Sequence, residues 1–478
     1  MKTLVHKGPA TRVAPLLVAL LLAGCMGAPQ APVAADAGLT VPARFAHDPQ
    51  ARAWTTAEPA ESQPRGDWWL GFADPVLTAL VVQAGEGNTG LQEAAARLDQ
   101  ARALLRTADA RRAPQLGVGA GAARQAGWTS TGSAQAATVL SGGLQLSYEL
   151  DVLGRLSQAS DAARLDAQQR QALLQSARLL VQAEVAQTYL RWRAVQAEYT
   201  LVAESLAAYS ETLRLTQRRL QVGDVAELEV ARLQTEMAAT EAEALSLLQQ
   251  QAQLLHALAV LVGEVASGFA LPAAGAEPAL PAVAADVPAS VLARRPDVAA
   301  AQAGVMAAQA RVGVAQKAWF PAITLTGQGG YASPDLGDLF KWSARSWGIG
   351  ALLSLPLLDG GQRQAQEDGA RAQLDAAMAV HRGQVLAAFR DVEDQLSALH
   401  WLHAQSQAQS RAVASARRAT QLSESRYRNG MVSQLELLDA RRSELRSLRQ
   451  ALQVRTAQYL ATVGVIRALG GGWDVAPT

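Results

Sequence analysis

The stretch RYRNGMVSQLELLDARRSEL, Arg426–Leu445, has a near copy earlier in the chain, RRLQVGDVAELEVARLQTEM, Arg218–Met237. Each carries a helical pattern up to a glycine, breaks, and restarts with acidic and leucine residues at similar spacing. Gly223 and Gly430 lie 207 positions apart, and the same shift carries Pro114 onto Pro321. It also carries Ala94, Ala96, Ala101, Ala103 and Ala108 onto Ala301, Ala303, Ala308, Ala310 and Ala315. DVLGR, Asp151–Arg155, falls beside LDGGQR, Leu358–Arg363, if one residue is inserted. Two tandem copies are therefore expected, 67–265 and 288–478, joined by a Pro/Ala-rich linker, 266–287.

Inside each copy the patterns follow one order. Leu91–Arg112 and Pro296–Ala318 read as helices, with Pro296 suited to a first helical position and Pro114 and Pro321 as terminators. The period then changes to two. Leu144, Leu146, Tyr148 and Leu150 alternate with Gln145, Ser147, Glu149 and Asp151, and Trp347, Ile349, Ala351, Leu353, Leu355 and Leu357 repeat the device. Weaker, glycine-rich alternation at Leu116–Gly121 and Ile323–Gly330 completes two strands of about ten residues per copy. Loops at Arg124–Ala137 and Ala332–Arg345 are expected to join them.

The longest helices follow. From Gly154 to Val222 nothing interrupts the pattern, which at about 1.5 Å per residue predicts roughly 100 Å of helix. Val185, Trp192, Tyr199, Leu206, Leu213 and Leu220 recur every seven residues, with Thr188, Val195, Val202, Tyr209 and Thr216 at the complementary seam. Val230, Leu233, Met237, Thr240, Ala244, Leu247, Leu254, Leu258 and Leu261 continue the steps of three and four. Leu438, Leu445, Leu452, Tyr459 and Ile466 do so in the second copy. Its long helix, Gln362–Tyr427, keeps register at Val392, Leu399 and Val413 but places Ser406 and Gln409 between, as a helix with a wet face would. Gly223 and Gly430 are then hairpin tips, because a residue that tolerates left-handed dihedrals closes one helix and lets the chain return antiparallel.

Bulk properties narrow the function. With 43 basic and 42 acidic side chains in 478 residues, no net field draws the chain to nucleic acid. The sole cysteine, Cys25, closes a segment that starts with Lys2, Lys7 and Arg12 and continues as VAPLLVALLLAG, the pattern of a signal peptide over 1–24. Leu22-Ala23-Gly24-Cys25 resembles the bacterial lipoprotein processing box, in which the thiol receives a diacylglycerol and the acyl chains (palmitate-type) anchor the mature protein. Met26, in place of an acidic residue, resembles the signal for onward export to the outer membrane. Residues 25–66 then read as a lipidated, extended N-terminal segment. His400 and His403 could begin a metal site, but no third ligand is apparent. No phosphate-loop lysine or grouping of serine, histidine and carboxylate suggests an enzyme or a cofactor.

Four strands with one apolar face cannot close a cylinder, and an open edge in lipid leaves backbone groups unpaired. Copies must share a barrel. Eight strands would leave an interior filled by side chains, twelve would leave a lumen, and three chains supply twelve.

SYELDVLGR, VLARRPDVAAAQAGVMAAQARVGVAQKAWFPAITL, LPLLDGGQR and RYRNGMVSQLELLDARR, in that order at repeat spacing, resemble the TolC-like outer membrane factors, specifically the lipidated branch serving resistance-nodulation-division efflux pumps. The resemblance implies a mainly α chain with membrane β structure. Its homotrimer would join a twelve-stranded β-barrel in the outer membrane to a trimeric α-helical barrel of long antiparallel coiled-coil helices. It implies a passive exit duct for small molecules such as drugs, opened at its periplasmic tips by an adaptor protein and an inner-membrane transporter. A channel for secreted proteins, or a periplasmic coiled-coil lipoprotein scaffold, stands as the alternative.

Carried onto matching positions, Glu436 and Asp439 resemble the acidic rings that narrow the closed entrance in that family. Glu229 matches Glu436 in the first copy, whereas Arg232 stands where Asp439 stands. Arg232, with Arg441 or Arg442, is expected to latch the tips by pairing with these carboxylates. Some relatives place a latching arginine two residues past the glycine. Val432 stands there in this chain.

Overall fold

The computed structural model describes residues 66–128, 134–272, 275–281 and 294–471. The expected signal segment, Cys25 and nearly all of the extended segment lie outside them, as do parts of the linker and of the first strand loop.

The chain opens with a 3-10 turn, Trp68–Phe72, and two helices, α1 (Pro75–Gly87) and α2 (Thr89–Ala110). Strands β1 (Gln115–Trp128) and β2 (Ala134–Leu150) lead to α3 (Arg155–Gln221) and α4 (Glu227–Val262). The order then recurs as α5 (Pro296–Lys317), β3 (Ala322–Ser333), β4 (Arg345–Ser354), α6 (Gln362–Arg428) and α7 (Gln434–Ala468). Both long helices, α3 and α6, contain 67 residues.

Glycine geometry follows the 207-residue shift with no insertion. Gly154 and Gly361 (φ 73° and 90°) precede the long helices, Gly223 and Gly430 (78° and 72°) close them, and Gly263 and Gly470 (82° and 91°) end the return helices. The one-residue offset inferred from DVLGR and LDGGQR therefore lies before the glycine: Arg155 matches Gln362, not Arg363. Hydrogen bonds obey the same shift. Asn88 Nδ2 donates to the Leu261 carbonyl at 2.8 Å, and Arg295, its counterpart, donates to the Ala468 carbonyl at 3.0 Å. In each copy the short helix is thereby tied to the end of the return helix.

The seam residues bury as their period requires. Val185, Val202, Tyr209 and Thr216 are at most 2 % exposed, and Leu233 and Val392 are fully buried. Ser406 and Gln409 are half-buried on a stretch of α6, 403–411, whose other residues are exposed, as a wet face requires. The Gln409 amide donates to the Ser447 carbonyl of α7 at 2.9 Å, so the polar position is a satisfied one inside the hairpin. Small residues let α5 approach α3 closely, because a Cβ at Gly313 would stand 2.4 Å from the Gln158 amide.

The largest apolar core lies between the middle of α3 and the C-terminal ends of α4 and α7. Trp68, Phe72, Leu77 and Val81 pack on Val185, Tyr189 and Trp192 of α3, Leu258 of α4 and Val463 of α7. Asp74 caps α1 through the Val76 and Leu77 amides and also accepts from the Tyr189 hydroxyl at 2.8 Å. Burial pushes the Tyr189 phenol up to about 12.

The four strands form one antiparallel sheet in the order β1-β2-β3-β4. Its first two strands, 14 and 17 residues, exceed the expected length because alternation continues weakly through alanine and glycine into the supposed loop. Register places Leu116 and Val118 of β1 opposite Leu146 and Leu144, and Gly327 and Gly329 opposite Ile349 and Trp347. All these side chains share one face, and Val118, Trp347 and Ile349 are at least 75 % exposed. The other face carries Gln145, Ser147, Thr324, Thr326, Gln328 and glycines. Within the described residues β1 and β4 each leave one edge unpaired.

Candidate functional site

The hairpin tips are built by backbone hydrogen bonding. In the first, the Asp224 amide reaches back to the Arg219 carbonyl at 2.9 Å across Gly223; in the second, the Met431 amide reaches the Arg426 carbonyl at 2.8 Å across Gly430. Both are glycine-closed helix ends of the kind that satisfies the last carbonyls. The restart differs between copies. Ser433 caps α7 by accepting from the Glu436 amide, while α4 starts at Ala226 without a side-chain cap. Ser433 and Glu436 stand at capping-box spacing.

The two tips touch through Arg219. Its guanidinium pairs with Asp224 at 2.7 Å, lies 5.9 Å from the Tyr427 ring centroid and donates to the Tyr427 hydroxyl at 3.4 Å. Glu436 is half exposed and faces Arg426 at 3.8 Å. Asp439, 65 % exposed at its side chain, faces Arg442 at 3.7 Å, one turn along α7. Both expected carboxylates thus sit on the accessible surface of α7 just past the turn.

The arginines divide their roles in a way the sequence reading did not anticipate. Arg441 turns inward, donating to Thr212 Oγ1 of α3 at 2.9 Å and pairing with Glu424 of α6 at 2.7 Å. It touches neither Glu436 nor Asp439, since two positions along a helix from Asp439 it projects from another face. Arg442 bonds Glu236 of α4 as well as Asp439, and the Glu236 carboxylate reinforces its protonated state. Arg232 is exposed and Glu229 half-buried, and neither side chain has an ion pair among the described residues.

Sequence reasoning missed a ladder. Arg442 meets Glu236, and seven residues on Arg449 meets Glu243 at 2.5 Å and Glu198 at 2.6 Å. The signal was present as two acidic and two basic residues, each pair one heptad apart, on helices from different copies. It also missed Gln434, which is 4 % exposed and whose two amide atoms have no hydrogen-bond partner among the described residues. This arrangement can hold the tips together by ion pairs and leaves the Glu436 and Asp439 carboxylates accessible to solvent. Among the described residues no cluster of metal-ligating side chains occurs.

The family model described as outer membrane efflux protein matches twice, over residues 80–264 and 287–471. Outer membrane protein OprJ of Pseudomonas aeruginosa is 32 % identical over 478 residues, covering 98 % of this chain and 97 % of its own. Antibiotic efflux pump outer membrane protein ArpC of Pseudomonas putida is 31 % identical, covering 96 % and 94 %. The open state of the Neisseria gonorrhoeae MtrE outer membrane channel superposes with a TM-score of 0.78 at 27 % identity, covering 90 % of this chain and 96 % of that one. With the double match spanning both helix-strand-strand-hairpin copies, the chain belongs to the outer membrane efflux protein family.

Proposed function

We propose that this chain is the outer-membrane channel component of a tripartite efflux pump, a passive exit duct from periplasm to exterior. The carrying observation is the sheet: one face presents Val118, Trp347 and Ile349 to the surroundings, the other is polar and glycine-rich, and both edges are open. In lipid such a sheet is stable only when its edges are paired into a ring. Three copies supply twelve strands, enough for an aqueous lumen lined by Gln145, Thr326 and Gln328. Helices of 67 residues continue the ring as a long tube away from the membrane.

The copy boundaries proposed are 67–265 and 288–478, with Cys25 as the lipid attachment point. The tips at Gly223 and Gly430 form the inner mouth, where an adaptor protein and an inner-membrane transporter of the resistance-nodulation-division type dock. Threefold repetition of Glu436 and Asp439 would ring that mouth with carboxylates and favour cations. Arg232, which has no ion pair among the described residues, would meet a carboxylate of a neighbouring copy and latch the ring. Purified protein in planar bilayers tests the duct directly. Discrete conductance steps and restored drug resistance in a deletion strain are expected; an electrically silent protein that complements nothing would refute the reading.

A further inference from the structure

At the end of the sheet far from the helices, the apolar face finishes in aromatics and arginine. Arg345, the first residue of β4, stands on the same face as Trp347 and Ile349 and opposite Tyr331 of β3. Its guanidinium stacks 4.0 Å over the Trp342 ring, and Phe340 folds against Tyr331 at 5.9 Å between ring centroids. Phe340 and Trp342 are 79 % and 73 % exposed. Arg124, near the outer end of β1, lies on that same face, in step with Leu116 and Val118.

Neither arginine has an ion pair among the described residues, while the neighbouring Lys341 is taken by Asp338 at 2.5 Å. Both lie nine residues from the helix-side end of their strands, Gln115 for β1 and Ser354 for β4. The eight steps from Arg345 to Leu353 cover about 27 Å of strand, or roughly 20 Å of depth at the usual tilt. That depth is close to the apolar band of such a barrel, so the arginines sit at headgroup level. Because β1 and β4 are the edges left unpaired among the described residues, and both arginines lie the same distance from the helix-side end, closing the ring would bring Arg345 of one protomer near Arg124 of the next.

We propose that this pair of guanidiniums, framed by Trp342 and Phe340, binds the phosphate of a phosphorylated glycolipid of the outer leaflet at each seam between protomers. Stacking on Trp342 uses the face of the Arg345 guanidinium and leaves its N–H edge for bidentate contact with phosphate oxygens. The apolar face below, Trp347, Ile349 and Leu353, takes the acyl chains. The inference rests on the trimeric reading above.

Native mass spectrometry of the detergent-purified full-length protein, incubated with bis-phosphorylated hexa-acylated lipid A, separates the two. The expected spectrum shows a trimer retaining up to one lipid per seam. Arg124→Gln/Arg345→Gln should remain trimeric with its apparent Kd raised about a hundredfold, since each of the two charge-assisted contacts is worth a decade or so. Arg345→Lys should recover part of the loss. Phosphatase-treated lipid A on the unaltered protein should bind as weakly as untreated lipid A does to the double variant, an arm that needs no variant to fold. An intact trimer that binds both lipids equally overturns the lipid site; a species other than three chains, whatever its lipid, overturns the trimer instead.

Discussion

Arg295 offers a quantitative test of how the second copy is tied together. The residue is 6 % exposed and its guanidinium joins three elements: it donates to the Ala468 carbonyl at the end of α7, pairs with Asp297 of α5 at 2.7 Å, and reaches Asp391 of α6 at 3.2 Å. Arg295→Met would keep the length of the stem, remove this donor from the Ala468 carbonyl and take the guanidinium away from two carboxylates, Asp297 keeping the Val298 amide and Gln384 and Asp391 keeping Arg390. Removing one partner of a buried pair costs about 3–5 kcal/mol, and because both carboxylates keep about a quarter of their exposure the lower end, about 3 kcal/mol, applies. Asn88→Ala, the equivalent change in the first copy, removes neutral hydrogen bonds worth about 1 kcal/mol each. Hydrogen exchange on the full-length protein measures both. Protection of the Leu469 and Gly470 amides should fall by about two decades in Arg295→Met, since roughly 1.4 kcal/mol is tenfold, and that of the corresponding amides in Asn88→Ala by less, about 1.4 decades for two such bonds.

The acid limb sharpens the test. Burial alone would raise the Asp297 carboxyl, but hydrogen bonds and charge from Arg295, with help from the Val298 amide and Gln384, hold it below the usual carboxylate range. A depressed folded-state value stabilises the fold above the unfolded value of about 3.9, and that stabilisation is lost as pH falls through the folded value. In Arg295→Met the acid-sensitive part should shrink. Equal protection in the two variants, or an unchanged acid limb in Arg295→Met, would refute the reasoning.

Three further outcomes follow from particular groups. Tyr189 is held protonated to about 12 by burial, so its contribution to stability is complete below pH 10 and lost as pH rises toward 12; alkaline unfolding followed by circular dichroism should lose that component in Tyr189→Phe. Gln434→Leu replaces a buried amide with no hydrogen-bond partner, and should stabilise the second tip by about 1–3 kcal/mol, visible as slower proteolysis there. Glu436→Gln/Asp439→Asn removes the accessible carboxylates past the turn, and single-channel recordings should show reduced cation preference at low salt, with the difference narrowing as ions screen the mouth.

Much of the architecture is legible in the chain because it is periodic. Heptad spacing requires neighbours one heptad apart, so Val185 and Tyr209 declare their burial locally, and glycine at left-handed positions marks Gly154, Gly223 and Gly263 with their counterparts. What escaped the sequence reading depends on partners far away. Arg295 and Asn88 hold equivalent places with different side chains, so a search for matching residues passes over them. The tip arginines are ambiguous for a related reason: Arg441 and Arg442 are adjacent in sequence but project from different faces, toward Thr212 and Glu424 in one case and Glu236 in the other. The core around Phe72 and Leu77 is likewise assembled from a short leading segment and helix positions more than a hundred residues away. Strand lengths were underestimated where glycine and alanine weaken alternation without ending it.

The most direct test of the central claim is the native mass of the full-length protein extracted in mild detergent. Pairing of the free edges of β1 and β4 between copies predicts a species of three chains and nothing stable below it. A folded, bilayer-inserted monomer would contradict the account.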